Sequence, residues 1–332
     1  MRILVSGGLG FIGSNFVHYL LDETEASVTN LDLASYGSNP LNLQGVSDSR
    51  RYKFVKGDVS DFRVVKPLIE ESDAVVNLAA ETHVDRSISS GAPFMNANIM
   101  GTFTIVECLR RVGKRVSFVQ VGTDEEYGEI MDGSFTESDP LSPSSPYAAS
   151  KASASMVVLA YARTYGLDAK VTRCTNNFGR YQFPEKLIPK SIIRARLGLN
   201  VPVYGKGENV RDWIHVSDHC RALEWVLRKG RAGNVYNVAG GAEVKNIDLV
   251  RMLLEVMGAS ERLIEFVEDR PGHDRRYSLN DMKIRKDLGW RPEREFSEAL
   301  RETVEWYLKN EGWWRPIADW RTLNAAPWKL KW

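Results

Sequence analysis

The sequence has 332 residues, 43% of them hydrophobic, with 44 basic and 43 acidic side chains and a formal net charge of +1. That is enough chain for one large or two modest domains around a real core. The near-neutral, interspersed charge speaks against a nucleic-acid partner, and no apolar run is long enough to span a bilayer.

The three cysteines, Cys108, Cys174 and Cys220, form no CxxC and no even framework, which suits a reducing cytosol. The chain enters a strand at once (MRILVSGG), so no signal peptide and a cytoplasmic location are expected. ILVSG (3–7) reads as strand and 11–22 as helix; VTNLD (28–32) and YKFVKGD (52–58) read as strands. Then follow helix 61–71, strand 74–80, helix 96–112, strand 116–122, helix 147–165 and strand 169–174. This rhythm predicts an α/β fold with a Rossmann-type, doubly wound parallel sheet. Such sheets bind ligands at the carboxyl ends of their strands.

Past Asn176 the pattern loosens, with prolines and aromatics entering (FGRYQFPEKLIP, VPVYGKGENVRDW). Residues 1–175 are therefore expected to form the nucleotide-binding domain, and 176–315 a smaller α/β domain that closes over it and binds the substrate. Helix 217–229 and strand NVYNVAG, within a stretch near 211–239, look set to return to the first domain. His215 and His219 have zinc-like i, i+4 spacing but no third ligand, so no metal is expected. A tail over 316–332 continues a tryptophan-rich end: Trp306, Trp313, Trp314, Trp320, Trp328 and Trp332 are six of nine in the chain. They read as packing on the body or at a subunit interface.

GGLGFIG, Gly7 to Gly13, contains both GxGxxG and GxxGxxG, and it follows a strand and opens a helix. In that context the glycines allow a tight turn close to a pyrophosphate, which then meets the helix N-terminus. Asp32 ends the next strand; a carboxylate there accepts ribose hydroxyls and repels a 2′-phosphate, favouring NAD over NADP. Asp58 closes the third strand, where it could meet an adenine.

YAASK places Tyr147 and Lys151 at i, i+4 on one helix face. Lowering a tyrosine pKa from ~10 by ~3 units takes roughly 4 kcal/mol. A nearby ammonium and a cationic nicotinamide supply that kind of stabilisation. A hydride acceptor and a base are all that an alcohol dehydrogenase needs. The run TDEEYG adds Asp124 and Glu125 where a central strand stops. A ketone acidifies the adjacent C–H, so one carboxylate can remove that proton while the other, protonated, assists a departing hydroxyl. Two close carboxyls push their pKa values apart, which suits one acid and one base.

With GGLGFIGSNF, LAAETHVDRSI, TDEEYG, SPYAASK, NNFGRYQFPEKLIP, VRDWIHVSDHC and DRPGHDRRYSL, the chain resembles the nucleotide-sugar 4,6-dehydratases of the extended short-chain dehydrogenase/reductase superfamily over about residues 1–315, most closely those acting on dTDP-glucose. The resemblance implies that Tyr147 takes the sugar 4-hydroxyl proton, Glu125 the C5 proton, and that Asp124 protonates the departing 6-hydroxyl. Thr123 and Thr82 would hold the sugar near C4, and Lys151 the nicotinamide ribose. Gly7, Gly10, Phe11, Ile12, Gly13, Asp32, Leu33, Ser35, Asp58, Val59, Leu78, Ala79 and Ala80 would line the NAD, with Asn177 on the cofactor side. Asn176 would contact substrate; Lys186, Leu187, Ile188, Pro202, Val203 and Tyr204 would line the nucleotide. Arg211 would clamp the pyrophosphate. Asn246 and the run Asp269, Arg270, Pro271, Gly272 and His273 would close over the nucleotide.

The family pattern is broken at Gly122, expected to loosen the turn, and at Glu126, a third acid expected to face away. Arg180 is a further departure, near the substrate loop. A UDP- or CDP-hexose dehydratase, a UDP-glucuronate decarboxylase, a UDP-hexose 4-epimerase and a silent NAD-binding regulator remain alternatives. The epimerases lack the Asp–Glu pair and the decarboxylases keep only its glutamate. The resemblance also implies a homodimer through helices 96–112 and 147–165, with Phe103, Val106, Leu109, Met156, Leu159 and Ala160 at the interface.

Overall fold

The computed structural model describes residues 1–332. Its strands are β1 (Arg2–Ser6), β2 (Ser27–Asp32), β3 (Tyr52–Lys56), β4 (Ala74–Asn77), β5 (Ser117–Thr123), β6 (Ala169–Cys174), β7 (Asn176–Phe178), β8 (Val201–Tyr204), β9 (Val210–His215), β10 (Val235–Val238), β11 (Glu243–Lys245) and β12 (Ile264–Val267). Seven of them form one sheet in the order β10-β6-β5-β4-β1-β2-β3, every neighbouring pair parallel. Parallel strands need both faces covered, which is why β1 and β4 read as unbroken aliphatic runs. Ile3, Leu4, Val5 and Ala74, Val75, Val76 are all buried. Helices Phe11–Glu23 and Val216–Lys229 pack on one face; Phe62–Glu70, Gly101–Arg111 and Pro146–Tyr165 cover the other. The chain winds outward from β1 in one direction and from β4 in the other. That reversal opens a crevice at the strands' carboxyl ends.

Helix Pro146–Tyr165 is defined at both ends by its own sequence. The Ser145 hydroxyl accepts the Ala148 N–H at 3.1 Å, proline fills the first turn, and Gly166 stops the helix at φ +67°. The expected helix 96–112 begins as a wider π-type coil, Met95–Met100, before becoming α-helical at Gly101–Arg111. Val106 and Leu109 do not face outward as expected. They pack into the protomer's own core, because the apolar stripe of this helix covers the sheet. Phe103 and Met156, 38% and 61% exposed, remain on the surface, and Ala160 is exposed beside them.

The stretch expected to return to the large sheet divides. Val216–Lys229 and β10 do join it, but β9 pairs with β7 and β11 in a separate three-stranded sheet. Residues 282–290 also pack on the large-sheet core, through Ile284, Leu288 and Trp290. Trp306, Trp313 and Trp314 sit in a third core with Tyr307, Ile188 and Ile192. The Trp314 indole donates to Tyr307 O at 2.9 Å. Only Trp320 of the terminal tryptophans is largely exposed. No helix is long and apolar enough to cross a membrane.

Candidate active site

The glycine turn joins β1 to the first helix. Gly7 has φ +77°, and a Cβ there would meet Ala79 N at 2.6 Å; a Cβ on Gly13 would sit 2.1 Å from Gly7 O. Backbone thus lies against backbone, which only glycine permits. Gly8 belongs to a different duty: its N–H donates to the buried Asn30 side chain at 3.0 Å, under the turn. No side chain caps the helix start, so its first N–H groups are free for an anion. Asp32 accepts Leu9 N–H at 2.9 Å and Ala34 N–H at 2.8 Å, and Ser38 donates to it at 2.9 Å. A carboxylate has about four acceptor sites, so it retains capacity for a ribose hydroxyl.

The turn opens on a cavity of about 440 Å³. Its walls hold Gly7, Gly10, Phe11, Ile12, Gly13, Asp32, Leu33, Ser35, Asp58, Val59, Leu78, Ala79, Ala80, Asn177, Tyr147 and Lys151, together with Thr123, Asp124 and Glu125. The cradle, the uncapped helix and the carboxylate at the end of β2 fit a dinucleotide. A second cavity of about 180 Å³ shares Thr82, Glu125, Asn176, Glu185 and Lys186 with the first. Leu187, Pro202, Val203, Tyr204, Arg211, Asn246, Arg270 and His273 line it. Ile188 does not, because its side chain turns into the core. Asp269, Pro271 and Gly272 stay outside the lining; Asp269 accepts from Arg270 N–H at 2.8 Å and bonds His273 at 2.6 Å, shaping the rim. Arg180 bonds Asn15 at 3.1 Å instead of entering either cavity.

Several polar atoms on these walls are buried without a partner: Asp124 Oδ2, Asn176 Oδ1, Asn246 Oδ1, Arg270 Nε, His83 Nδ1 and Arg86 Nε. Such orphans are uncommon and cluster where a polar ligand belongs. Arg211, Arg270 and Lys186 bring positive charge to the second cavity. Arg211 rests on the Tyr277 ring at 4.2 Å and donates to Asp274 O at 2.8 Å. Arg270 pairs with Asp85 at 2.9 Å, and Lys186 donates to Thr82 O at 2.8 Å.

At the end of β5 the chain turns into a short 3₁₀ helix, Asp124–Glu126. The Thr123 hydroxyl starts it, accepting Glu125 N–H at 3.4 Å and donating to Asp124 at 3.0 Å. This turn lets consecutive side chains share one cavity, which a continuing strand forbids. Burial, then the Glu125 charge, raises Asp124 well above the usual carboxylate range. Burial raises Glu125 too, but Arg270, Arg211 and Lys186 oppose it. The environments therefore make Asp124 the better proton holder and Glu125 the better base. Burial also raises Tyr147 well above its usual pKa and lowers Lys151, whose ammonium donates to Val121 O at 2.5 Å. A bound cation near the tyrosine would oppose its shift.

Glu126 does not face away. It is fully buried, its carboxylate accepting Arg173 Nε at 2.7 Å, Ser155 Oγ at 3.0 Å and Thr123 N–H at 3.2 Å. Gly122 does not loosen the turn; a Cβ there would meet Glu126 Oε1 at 2.3 Å and Thr172 O at 2.7 Å. Sequence reading also missed Tyr36, Arg86, His83, Glu185 and Lys190. Tyr36 donates to Glu185 at 2.8 Å, and Arg86 lies over Tyr36 at 4.1 Å and Trp332 at 5.0 Å. Trp328 packs edge-on against Tyr204 at 4.9 Å, so the tail backs the walls of both cavities. Burial lowers His83 to about 4 and Lys190 to about 8. Glu185 carried a local signal, as the neighbour of Lys186 in FPEKLIP, and His83 and Arg86 lay inside the quoted run LAAETHVDRSI; Tyr36 and Lys190 carried none.

The GDP-mannose 4,6 dehydratase family matches residues 4–303. A dTDP-glucose 4,6-dehydratase of Streptomyces niveus is 50% identical over 334 residues, covering 98% of each chain. Among solved structures, a dTDP-glucose 4,6-dehydratase of Streptomyces venezuelae with NAD bound superposes with a TM-score of 0.93 at 48% identity, over 96% of this chain and all of that one. A UDP-glucose 4-epimerase of Thermotoga maritima shares the fold at 30% identity and a TM-score of 0.86, over 94% of this chain and 100% of its own.

The raised Asp124 has a consequence for stability. Between the unfolded and folded pKa values the folded chain binds more protons, so stability is full below the ordinary aspartate pKa and declines as pH rises through the shifted one. Asp124→Asn removes that penalty. In urea unfolding of cofactor-free protein, we expect the variant to be more stable than the parent at about pH 8, with the gap closing near about pH 4. A parent equal or superior at both pH values contradicts the assignment.

Proposed function

The chain belongs to the family of nucleotide-sugar 4,6-dehydratases and, within it, to the dTDP-glucose 4,6-dehydratases, and from that premise we propose that it converts dTDP-glucose to dTDP-4-keto-6-deoxyglucose and water. The observation that carries the reading is the Asp124–Glu125 pair, Asp124 buried and Glu125 half-buried, raised unequally, in the same cavity as Tyr147 and Lys151. The Gly7–Gly13 turn, Asp32 and Lys151 would hold NAD, which when bound would supply the hydride acceptor for C4 oxidation and, once reduced, the hydride for C6.

In this reading Tyr147 takes the proton of the sugar 4-hydroxyl, with Lys151 beside it favouring the phenolate. The resulting ketone acidifies C5. Glu125 removes the C5 proton, and Asp124, kept protonated by burial, gives its proton to the departing 6-hydroxyl. Thr123 bonds Asp124 and orients it. Arg211 and Arg270 meet the pyrophosphate, while Tyr204 lines the nucleotide. An epimerase has no use for the acid–base pair, which favours dehydration over that alternative. Three buried, unpaired thiols suit a cytosolic setting.

Incubating the purified protein with dTDP-glucose in heavy water, with no NAD added, tests this. Loss of water with deuterium at C5 is expected, as is little turnover of UDP- or CDP-glucose. Turnover of UDP-glucose alone overturns the nucleotide assignment; no dehydration, even with NAD supplied, overturns the activity.

We also propose a homodimer through the faces of Gly101–Arg111 and Pro146–Tyr165 that leave Phe103, Met156 and Tyr165 exposed. A helix–helix interface between copies suits that geometry. Sedimentation equilibrium is expected to give twice the chain mass, and Met156→Glu to shift it toward one. A monomer at all concentrations contradicts the proposal.

A further inference from the structure

Glu126 takes no part in the chemistry above, yet its carboxylate joins the strand end that carries Asp124 and Glu125 to the helix that carries Tyr147 and Lys151. Thr123 stands on β5, Arg173 on β6, and Ser155 on helix Pro146–Tyr165. Ser155 follows Tyr147 and Lys151 at successive steps of four, on the same helix face. The Glu126 Oε1 atom accepts both Ser155 Oγ at 3.0 Å and Thr123 N–H at 3.2 Å. Its Oε2 accepts Arg173 Nε at 2.7 Å, and Arg173 donates onward to the Tyr127 hydroxyl at 2.8 Å. All three side chains, Glu126, Arg173 and Ser155, are buried.

A buried ion pair is weak evidence for stability, since desolvation offsets much of the attraction. Its directional bonds are what an apolar filling lacks. Here they run from the helix of Tyr147 and Lys151 to the backbone of Thr123, whose hydroxyl bonds Asp124. Residue 122 is part of the same arrangement: a Cβ would sit 2.3 Å from the carboxylate oxygen. We infer that Glu126 is a positioning residue for the elimination step: it fixes the turn bearing Asp124 and Glu125 against the helix bearing Tyr147 and Lys151, with Arg173 as counter-ion and Gly122 leaving its space. Proton removal at the 4-hydroxyl uses Tyr147 and Lys151, on the helix; elimination uses Asp124 and Glu125, on the turn that these bonds hold, and is therefore the step more sensitive to their loss.

The inference rests on the dehydratase reading, so one experiment is arranged to separate the two. NAD-loaded enzyme is mixed with dTDP-glucose in single turnover. The rise in absorbance at about 340 nm follows C4 oxidation; its decay, with product by mass spectrometry, follows elimination and hydride return. A parent that gives no dehydrated product sinks the reading itself. Given an active parent, Glu126→Gln is expected to keep the rise within about threefold and to slow the decay on the order of 10- to 100-fold, the scale of a small misplacement of reacting groups. Ser155→Ala removes one bond to the same carboxylate and keeps the ion pair, so it serves if Glu126→Gln does not fold. It is expected to slow the decay by about threefold or more, again sparing the rise. Circular dichroism establishes that each variant is folded. Rise and decay slowing together, or neither slowing, in a folded variant overturns the assignment.

Discussion

Two adjacent carboxyl groups at the end of β5, one buried and one half-buried, set the terms for the rest of the structure. Asp124 is 3% exposed and Glu125 lies beside it in the sequence and in the cavity. Burying one carboxylate is costly, and burying two adjacent ones is tolerable only if one keeps its proton or cations face them. The chain does both. Asp124 has Thr123 as its hydrogen-bond partner and is pushed up; Glu125 faces the field of Arg270, Arg211 and Lys186. That asymmetry gives two like residues unequal hold on a proton, and it is supplied by elements far apart in sequence.

The sheet supplies the place. At its topological reversal the carboxyl ends of β1 and β4 face a crevice, and β5 delivers its last residues into the same space. The glycine turn closes one wall because backbone can touch backbone there. Strand β9, the loop after β7 and the segment after β12 bring Arg211, Lys186 and Arg270 to the other wall. The tail adds a backing layer through Trp328 and Trp332, which touch Tyr204 and Tyr36. The walls of both cavities thus depend on contacts between the large sheet and what covers it.

Much of this was legible because it was local. The glycine spacing after β1, Asp32 at the end of β2, Tyr147 and Lys151 four apart, and the acidic pair ending β5 are each patterns within a few residues. What was not legible depends on direction and distance. Glu126 looks like a third surface acid until the turn sends it inward to Arg173, 47 residues on. Ile188 sits in a motif whose neighbours line the cavity, but the helix rotates it into the core. Val106 and Leu109 form the apolar stripe of an amphipathic helix, and such a stripe marks the protomer's own core before it marks an interface. Arg86 and His83 sit in the recognisable run LAAETHVDRSI without any sign of what they face, and Tyr36 carries no pattern; their contacts are made by tertiary folding.

The central claim is that one cavity performs oxidation, elimination and reduction on a single sugar without releasing it. Turnover of dTDP-glucose carrying deuterium at C4, mixed with unlabelled substrate bearing a distinct mass tag, tests this most directly. The account predicts deuterium at C6 of the same molecule that held it at C4, with no crossover. Label lost to solvent, left at C4, or shared between the two substrates would contradict it.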